Sequence, residues 1–568
     1  MNVKNTIKIT VFALSIFFLA SSVWYSPVLF KGHVHSTPGV TLARNLSQTG
    51  IYGAENDLNV LLSSNLVREQ AHISASGNKL TQMIYAGIFR TWGEFSENEL
   101  VLLSLAVHSL ALIIFALVVL YLFGFKISLI FSLIYILLPF NWQSTNDVGM
   151  YEFALLFFAF FFLFYLFGLN RKRSYLYLVP AGFFLGLTCL ARETFFLFLP
   201  FFFVYLWWKK PKRYLLYVFI PLLILLSCLW LPNIFGVEGR GNSYLLLFTT
   251  KTSEKLKSAE SGFYSHLFPD PYTYHFEKEE FLENYQNQLE SPKTDFLTKV
   301  GLIKAAANNG IRAANPLERI EVGVVLFLSH FFRFFSLEDM GGPFISLLML
   351  LGIYSLRQRN KYLFGLSLGW VSSVVFLLSF VAMAGRRHLM DFNWILALWI
   401  ALGLTMLCNI LSQHFHFSQV KSKTLLVVMV SVTLYGLVVA NHTAWDRLFE
   451  GSLENALRMR VYSQKIEELN IPDEDVIAVP DTNYYRLNYL INKSLVVFRE
   501  ETIGDLLNNG KLSFAFETFN VKYIVGYSFS LTEEITTKTQ IINVADDAVE
   551  LPKIEISPAK VWLLNLIK

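Results

Sequence analysis

Charge is what this chain has least of. Only 16% of its 568 residues are Asp, Glu, Lys or Arg, where a soluble domain carries about a quarter. That shortage excludes an ordinary soluble globular protein. Cysteine is scarce as well. Cys189, Cys228 and Cys408 are the only three, and each lies in an apolar run. The polar stretches can therefore form neither a disulfide framework nor a Cys-based metal site, and the three thiols read as packing filler. The net charge is only +4, which gives no reason to expect nucleic acid as a partner. Internal repeats and low-complexity tracts are missing too, apart from Phe-rich runs.

What the chain does have is apolar surface. It is 54% hydrophobic and 16% aromatic, with 53 Phe. The expectation is a polytopic α-helical membrane protein. A short basic start, residues 1–8, precedes an apolar run from Ile9 to Phe30. That run is longer than the core of a signal peptide, and Ser21-Ser22-Val23 is a poor cleavage site, so it reads as an uncleaved first helix with a cytoplasmic N-terminus. Residues 31–98 form a polar loop with two amphipathic pieces, Val40 to Leu46 and Leu80 to Trp92. In the second, Leu80, Ile84, Ile88 and Trp92 mark one face of a helix suited to the membrane interface.

Further spans are expected at 99–123, 127–143, 150–169, 174–191, 193–208 and 214–235. Basic residues fall in every second gap, at Lys126, at Arg171-Lys172-Arg173 and at Lys209-Lys210-Pro211-Lys212-Arg213. The positive-inside tendency puts these gaps in the cytoplasm. Glu152 and Arg192-Glu193 then share the outer face with the 31–98 loop. Residues 236–318 make a second outer loop. The apolar stretch 320–335 reads as interfacial or re-entrant, because a crossing there would put Arg357, Arg359, Lys361, Lys421 and Lys423 outside. Spans at 343–357, 361–384, 390–412 and 424–441 follow, for about eleven in all. Two regions are expected: a transmembrane domain, 1–441, with outer loops 31–98 and 236–342, and an extracytoplasmic α/β domain, 442–568. In the latter, Val476 to Val479, Leu495 to Phe498 and Tyr523 to Val525 read as strands, with helices at Leu453 to Leu469 and Ile503 to Leu507.

Charges at span ends are the candidates for chemistry. Arg386-Arg387 stand at an outer span end beside His388 and Asp391, and guanidinium forks match phosphate oxygens; the plainer reading is a pair of interfacial anchors. Arg192-Glu193 invites the same reading, against a short solvated turn. Glu152 can position a hydroxyl or act as a base, or simply favour a helix start. In the first loop, Glu55, Asp57, His33 and His35 can take a proton or hold a divalent cation, or be solvated loop residues.

The order of these features resembles the GT-C membrane glycosyltransferases, in particular the bacterial relatives of protein mannosyltransferases and of the aminoarabinose transferase of lipid A (glycosyltransferase families 39 and 83). The similar phrases are Thr41-Leu42-Ala43-Arg44-Asn45-Leu46-Ser47-Gln48-Thr49-Gly50, Phe89-Arg90-Thr91-Trp92-Gly93, Leu138-Pro139-Phe140, and Gly186-Leu187-Thr188-Cys189-Leu190-Ala191-Arg192, with Glu152 opening a helix and a late outer Arg386 or Arg387. The resemblance spans about residues 31–412. It implies an inverting hexosyl- or pentosyltransferase of the cell or inner membrane, which takes a polyprenyl-phosphate-linked sugar and transfers it to a lipid, glycan or protein acceptor. Arg192, Arg386 and Arg387 would hold the donor phosphate, and Glu152 would line the sugar site. The chain departs from the family in two places. The first-loop slot that usually carries an acid reads His35-Ser36-Thr37-Pro38, and the usual proline is missing at Gly77-Asn78-Lys79. Glu55, Asp57 or His35 is left to supply the base. The missing acid also keeps open a non-catalytic accessory protein of the same fold. A flippase or polymerase is a third reading, but transporters carry midplane charges and paired broken helices, and this chain keeps its charges at span ends.

Overall fold

The computed structural model describes residues 3–24, 35–36, 38–49, 60–61, 69–70, 79–138, 147–148, 151–169, 171–229, 342–381, 391–472, 475–480, 495–498, 521–526 and 540–543, with 141, 323–324, 327–328, 330–331 and 490–491. In chain order the elements are α1 (Val3–Trp24), β1 (His35–Ser36), α2 (Pro38–Thr49), β2 (Val60–Leu61), β3 (Glu69–Gln70), α3 (Lys79–Trp92), α4 (Glu97–Phe123), α5 (Phe125–Leu137), β4 (Asp147–Val148), α6 (Glu152–Leu169) and α7 (Tyr175–Ala191). There follow α8 (Leu199–Lys209), α9 (Lys212–Leu229), α10 (Pro343–Arg359), α11 (Lys361–Phe376), α12 (Asn393–His414), α13 (Gln419–Glu468), β5 (Val476–Pro480), β6 (Leu495–Phe498), β7 (Val521–Gly526) and β8 (Gln540–Asn543). Glu55, Asp57, Arg386, Arg387, the 236–318 loop and the helix expected at Ile503 to Leu507 lie outside the described residues. Of the 320–335 stretch, only short helical fragments are described.

The protein is mostly helical. Among the described residues, five helices are long and apolar enough to cross a membrane: Glu99–Phe123, Glu152–Leu169, Lys361–Phe380, Asn393–His414 and Gln419–Ala440. Shorter apolar helices accompany them. The stretch expected to span at 193–208 is built differently. Glu193–Phe198 is a 3₁₀ helix, and α8 begins at Leu199 with Pro200 in its first turn, where a missing N–H is harmless. The two pieces together reach about 28 Å, close to the hydrocarbon thickness. At the far end of α8, Lys209 lies over the Tyr362 ring and Lys212 over Trp207, with nitrogens 5.6 and 5.2 Å from the ring centroids. Lysines among aromatic rings suit a membrane interface.

α12 is the centre of the bundle. It is buried continuously from Asn393 to Thr405 and packs on α5, α10 and α13. Its crossing with α10 is made by two glycines. A Cβ on Gly352 would lie 1.6 Å from the Trp399 carbonyl oxygen, and one on Gly403 1.7 Å from that of Leu348. Only glycine lets these backbones touch. Beside this crossing, α6, the 3₁₀ turn, α11 and α12 meet in an aromatic core. The Phe158 ring stands 4.7 Å from Phe195, 5.2 Å from Phe198, 5.3 Å from Trp370 and 5.9 Å from Trp394.

The first loop forms both expected amphipathic helices, α2 and α3. The face that α3 turns inward differs from the one its apolar spacing suggests. Thr81, Gln82, Tyr85, Ala86 and Phe89 are buried, Leu80, Ile84 and Ile88 are half-buried, and Trp92 is 73% exposed. The Leu80–Ile84–Ile88 stripe runs along the rim of the contact, the position of a helix that also faces lipid.

All three strands expected in the C-terminal region are present, as β5, β6 and β7, and β8 adds a fourth. Their sheet has the order β3-β2-β6-β5-β7-β8, with every pairing parallel except β2 with β3. Two of its strands therefore come from the first loop. A sheet cannot be threaded by a bilayer, so the first loop and the C-terminal strands lie on one side of the membrane. α13 enters this region without a break. Polarity changes near Asn441, but no proline interrupts residues 419–468, and the 50-residue helix runs on to about 75 Å.

Candidate active site

The site lies at one end of the bundle, where α6 begins, α7 ends, α12 begins and α3 docks. α6 starts at Glu152, whose carboxylate is fully buried. The Tyr151 backbone N–H donates to its Oε2 at 3.0 Å, as befits an acid in a first helical turn. The Tyr85 hydroxyl, on α3, donates to Oε1 at 2.5 Å. A residue 67 positions away thus ties the first-loop helix to the start of a span. The Tyr85 ring also meets Phe153 edge-on at 5.6 Å.

α7 ends at Ala191, and Arg192 follows in extended conformation (φ −152°, ψ 115°). Its guanidinium is held from two sides. Nε donates to Asp391 Oδ1 at 3.2 Å and Oδ2 at 3.4 Å. Nη2 donates to the Tyr151 hydroxyl at 3.2 Å, and the guanidinium carbon stands 4.3 Å from the centroid of the Tyr151 ring. Thr194 Oγ1 also donates to Asp391 Oδ2, and Trp370 Nε1 donates to the Thr194 carbonyl at 3.3 Å. Arg192 is only 6% exposed and Asp391 is fully buried.

The structure therefore brings together two of the residues singled out in the sequence. Glu152 and Arg192 are linked through Tyr151, which touches the first by its backbone and the second by its side chain. Their sharing one end of the bundle agrees with the alternation of basic gaps. His35 lies in β1, which pairs in parallel with β4 so that His35 stands opposite Asp147 and Ser36 opposite Val148. The first-loop slot is thus carried to the segment that leads into Glu152. Glu55, Asp57, Arg386 and Arg387 are not among the described residues. Sequence reasoning missed Tyr85, Tyr151 and Thr194, and noted Asp391 only as a neighbour of the double arginine. Asp391 carried a signal, since a carboxylate at the foot of an apolar span needs a partner. The other three are uncharged residues ordinary at membrane boundaries and carried none.

Among the described residues, no three His, Cys, Asp or Glu side chains converge as a metal site. Glu152 and Asp391 are engaged with Tyr85 and Arg192.

No protein-family model and no curated protein sequence matches this chain. Solved structures do. The chain is similar to the oligosaccharyltransferase of Archaeoglobus fulgidus in its apo form, with TM-score 0.52 and 15% identity over 92% of this chain and 69% of that one. The fold is GT-C. The oligosaccharyltransferase AglB from Archaeoglobus fulgidus, in complex with an inhibitory peptide and a dolichol-phosphate, aligns at TM-score 0.49 and 13% identity over 90% of this chain and 69% of that one. ArnT from Cupriavidus metallidurans in the apo state aligns at TM-score 0.46 and 11% identity over 93% and 89%. At these identities the likeness is one of fold alone.

Proposed function

We propose that this protein transfers a sugar, a hexose or a pentose, from a polyprenyl-phosphate-linked donor to a lipid, glycan or protein acceptor at the extracytoplasmic face of the cell membrane. The observation that carries the reading is the buried cluster Tyr85–Glu152–Tyr151–Arg192–Asp391, which joins a first-loop helix to three helices at one end of a GT-C fold. The likeness to the oligosaccharyltransferase of Archaeoglobus fulgidus supports glycan transfer as the class of reaction.

In this reading the acceptor hydroxyl oxygen attacks the anomeric carbon, the bond from that carbon to the phosphate oxygen breaks, and the configuration inverts. The proton passes to a first-loop base, drawn from Glu55, Asp57 and His35. The electron pair leaves with the polyprenyl phosphate, whose charge is received by Arg192, Arg386 and Arg387. Glu152 borders the sugar and keeps α3 in place. A divalent cation, where one is used, would be held by the first-loop acids Glu55 and Asp57 and would supply charge for the departing phosphate. The N-terminus is assigned to the cytoplasm and the sheet-bearing region to the outside, with about eleven spans between.

The test is transfer of a labelled sugar from polyprenyl-phosphate donors in membranes carrying the full chain. The Arg386→Ala/Arg387→Ala double variant is expected to lose about 100-fold or more in turnover. Wild-type turnover in that variant would sink the phosphate-grip assignment.

A further inference from the structure

A buried ion pair is a poor way to gain stability, because withdrawing both charges from water offsets most of their attraction. The Arg192–Asp391 pair is buried, spans 199 residues of sequence, and carries more hydrogen bonds than an anchor needs. Arg192 alone has a long, adaptable side chain. Here its orientation is over-determined: Asp391 takes Nε, the Tyr151 hydroxyl takes Nη2, and the Tyr151 ring lies beneath the guanidinium plane. Asp391 in turn is fixed by Thr194, which follows Arg192 by two residues, and Thr194 is fixed by Trp370 of α11. The carboxylate thereby ties the extended break between α7 and the 3₁₀ turn to the entry of α12.

We propose that Asp391 is a positioning residue of the anion site: it aims the Arg192 guanidinium and fixes the entry to α12, and so sets the affinity for the lipid phosphate. This rests on the functional reading above. Charge and position make opposite demands on the same substitution. If the carboxylate acted only through its charge, neutralising it would remove an anion near the site and tighten binding of a phosphate. If it acts by position, neutralising it releases Arg192 and weakens binding.

The experiment uses the full chain in nanodiscs, with undecaprenyl phosphate as the probe. Its Kd is measured by native mass spectrometry, alongside Tm, for the wild type, Asp391→Asn and Thr194→Val. The expected result is a Kd weakened about tenfold or more in Asp391→Asn. In Thr194→Val, which keeps the ion pair, a smaller weakening of the same sign is expected. An unchanged or tighter Kd in Asp391→Asn overturns the proposal, even with a lowered Tm, because a purely structural role moves Tm alone. Should Asp391→Asn fail to fold, Thr194→Val decides by the same criterion. Failure of the wild type to bind the probe overturns this proposal together with the functional reading, whereas wild-type binding with an unaffected variant overturns only the role of Asp391.

Discussion

Glu152 opens a helix, and two readings of it were available from the sequence: an acid that favours the helix start, or a group at a substrate site. The structure gives it both a backbone N–H at its own helix start and the hydroxyl of Tyr85 from another element. Its carboxylate is therefore also a clasp that seats α3 on α6. A hydrogen bond to a charged group contributes about 1.5–3 kcal/mol. Tyr85→Phe keeps the ring and its edge contact with Phe153 but removes the donor. It is expected to lower stability by about that amount, read as a reduced Tm of the purified protein; an unchanged Tm contradicts the clasp. Glu152 and Arg192 were legible in the sequence because a charge stands out in an apolar chain. Tyr85 and Thr194 were not, because their roles depend on partners 67 and 197 residues away.

At the scale of elements, hydropathy located α4, α6, α7 and α12 closely, because long apolar runs have few other ways to satisfy their backbones in lipid. It failed where polarity and backbone geometry part company. The 3₁₀ turn at Glu193–Phe198 is as apolar as the helix beside it, and α13 keeps its geometry while its surface changes from apolar to polar. Three of the four C-terminal strands, β5, β6 and β7, were legible from short apolar runs, and β8 was not. β2 and β3, two residues each, are too short to leave a period. Helix contacts were equally silent: nothing in the sequence singles out Gly352 from the other glycines. Its Cβ has no room against the Trp399 carbonyl. Gly352→Val must push α10 away from α12 and is expected to cost about 3 kcal/mol or more, the upper range for overpacking. The measurement is the yield of folded, monodisperse protein and its Tm. Wild-type values for both contradict the close crossing.

For the whole molecule, the order of features along the chain was enough to suggest the GT-C architecture, because that architecture is a sequence of spans and loops. How its far parts join was not legible. The first loop contributes strands to the C-terminal sheet, a helix to the Glu152 clasp, and a strand opposite Asp147. One loop thus links the membrane bundle to the sheet beyond it. The proposed site sits at that junction. The central claim is that this end of the bundle holds a polyprenyl phosphate. The most direct test is to purify the full chain with its native lipids, extract them and identify the prenyl species by mass spectrometry. The expected result is a polyprenyl phosphate or its sugar-linked form, retained near one per chain by the wild type and depleted in the Arg386→Ala/Arg387→Ala variant. Recovery of only bulk phospholipids from the folded wild-type protein is the result that would contradict the account.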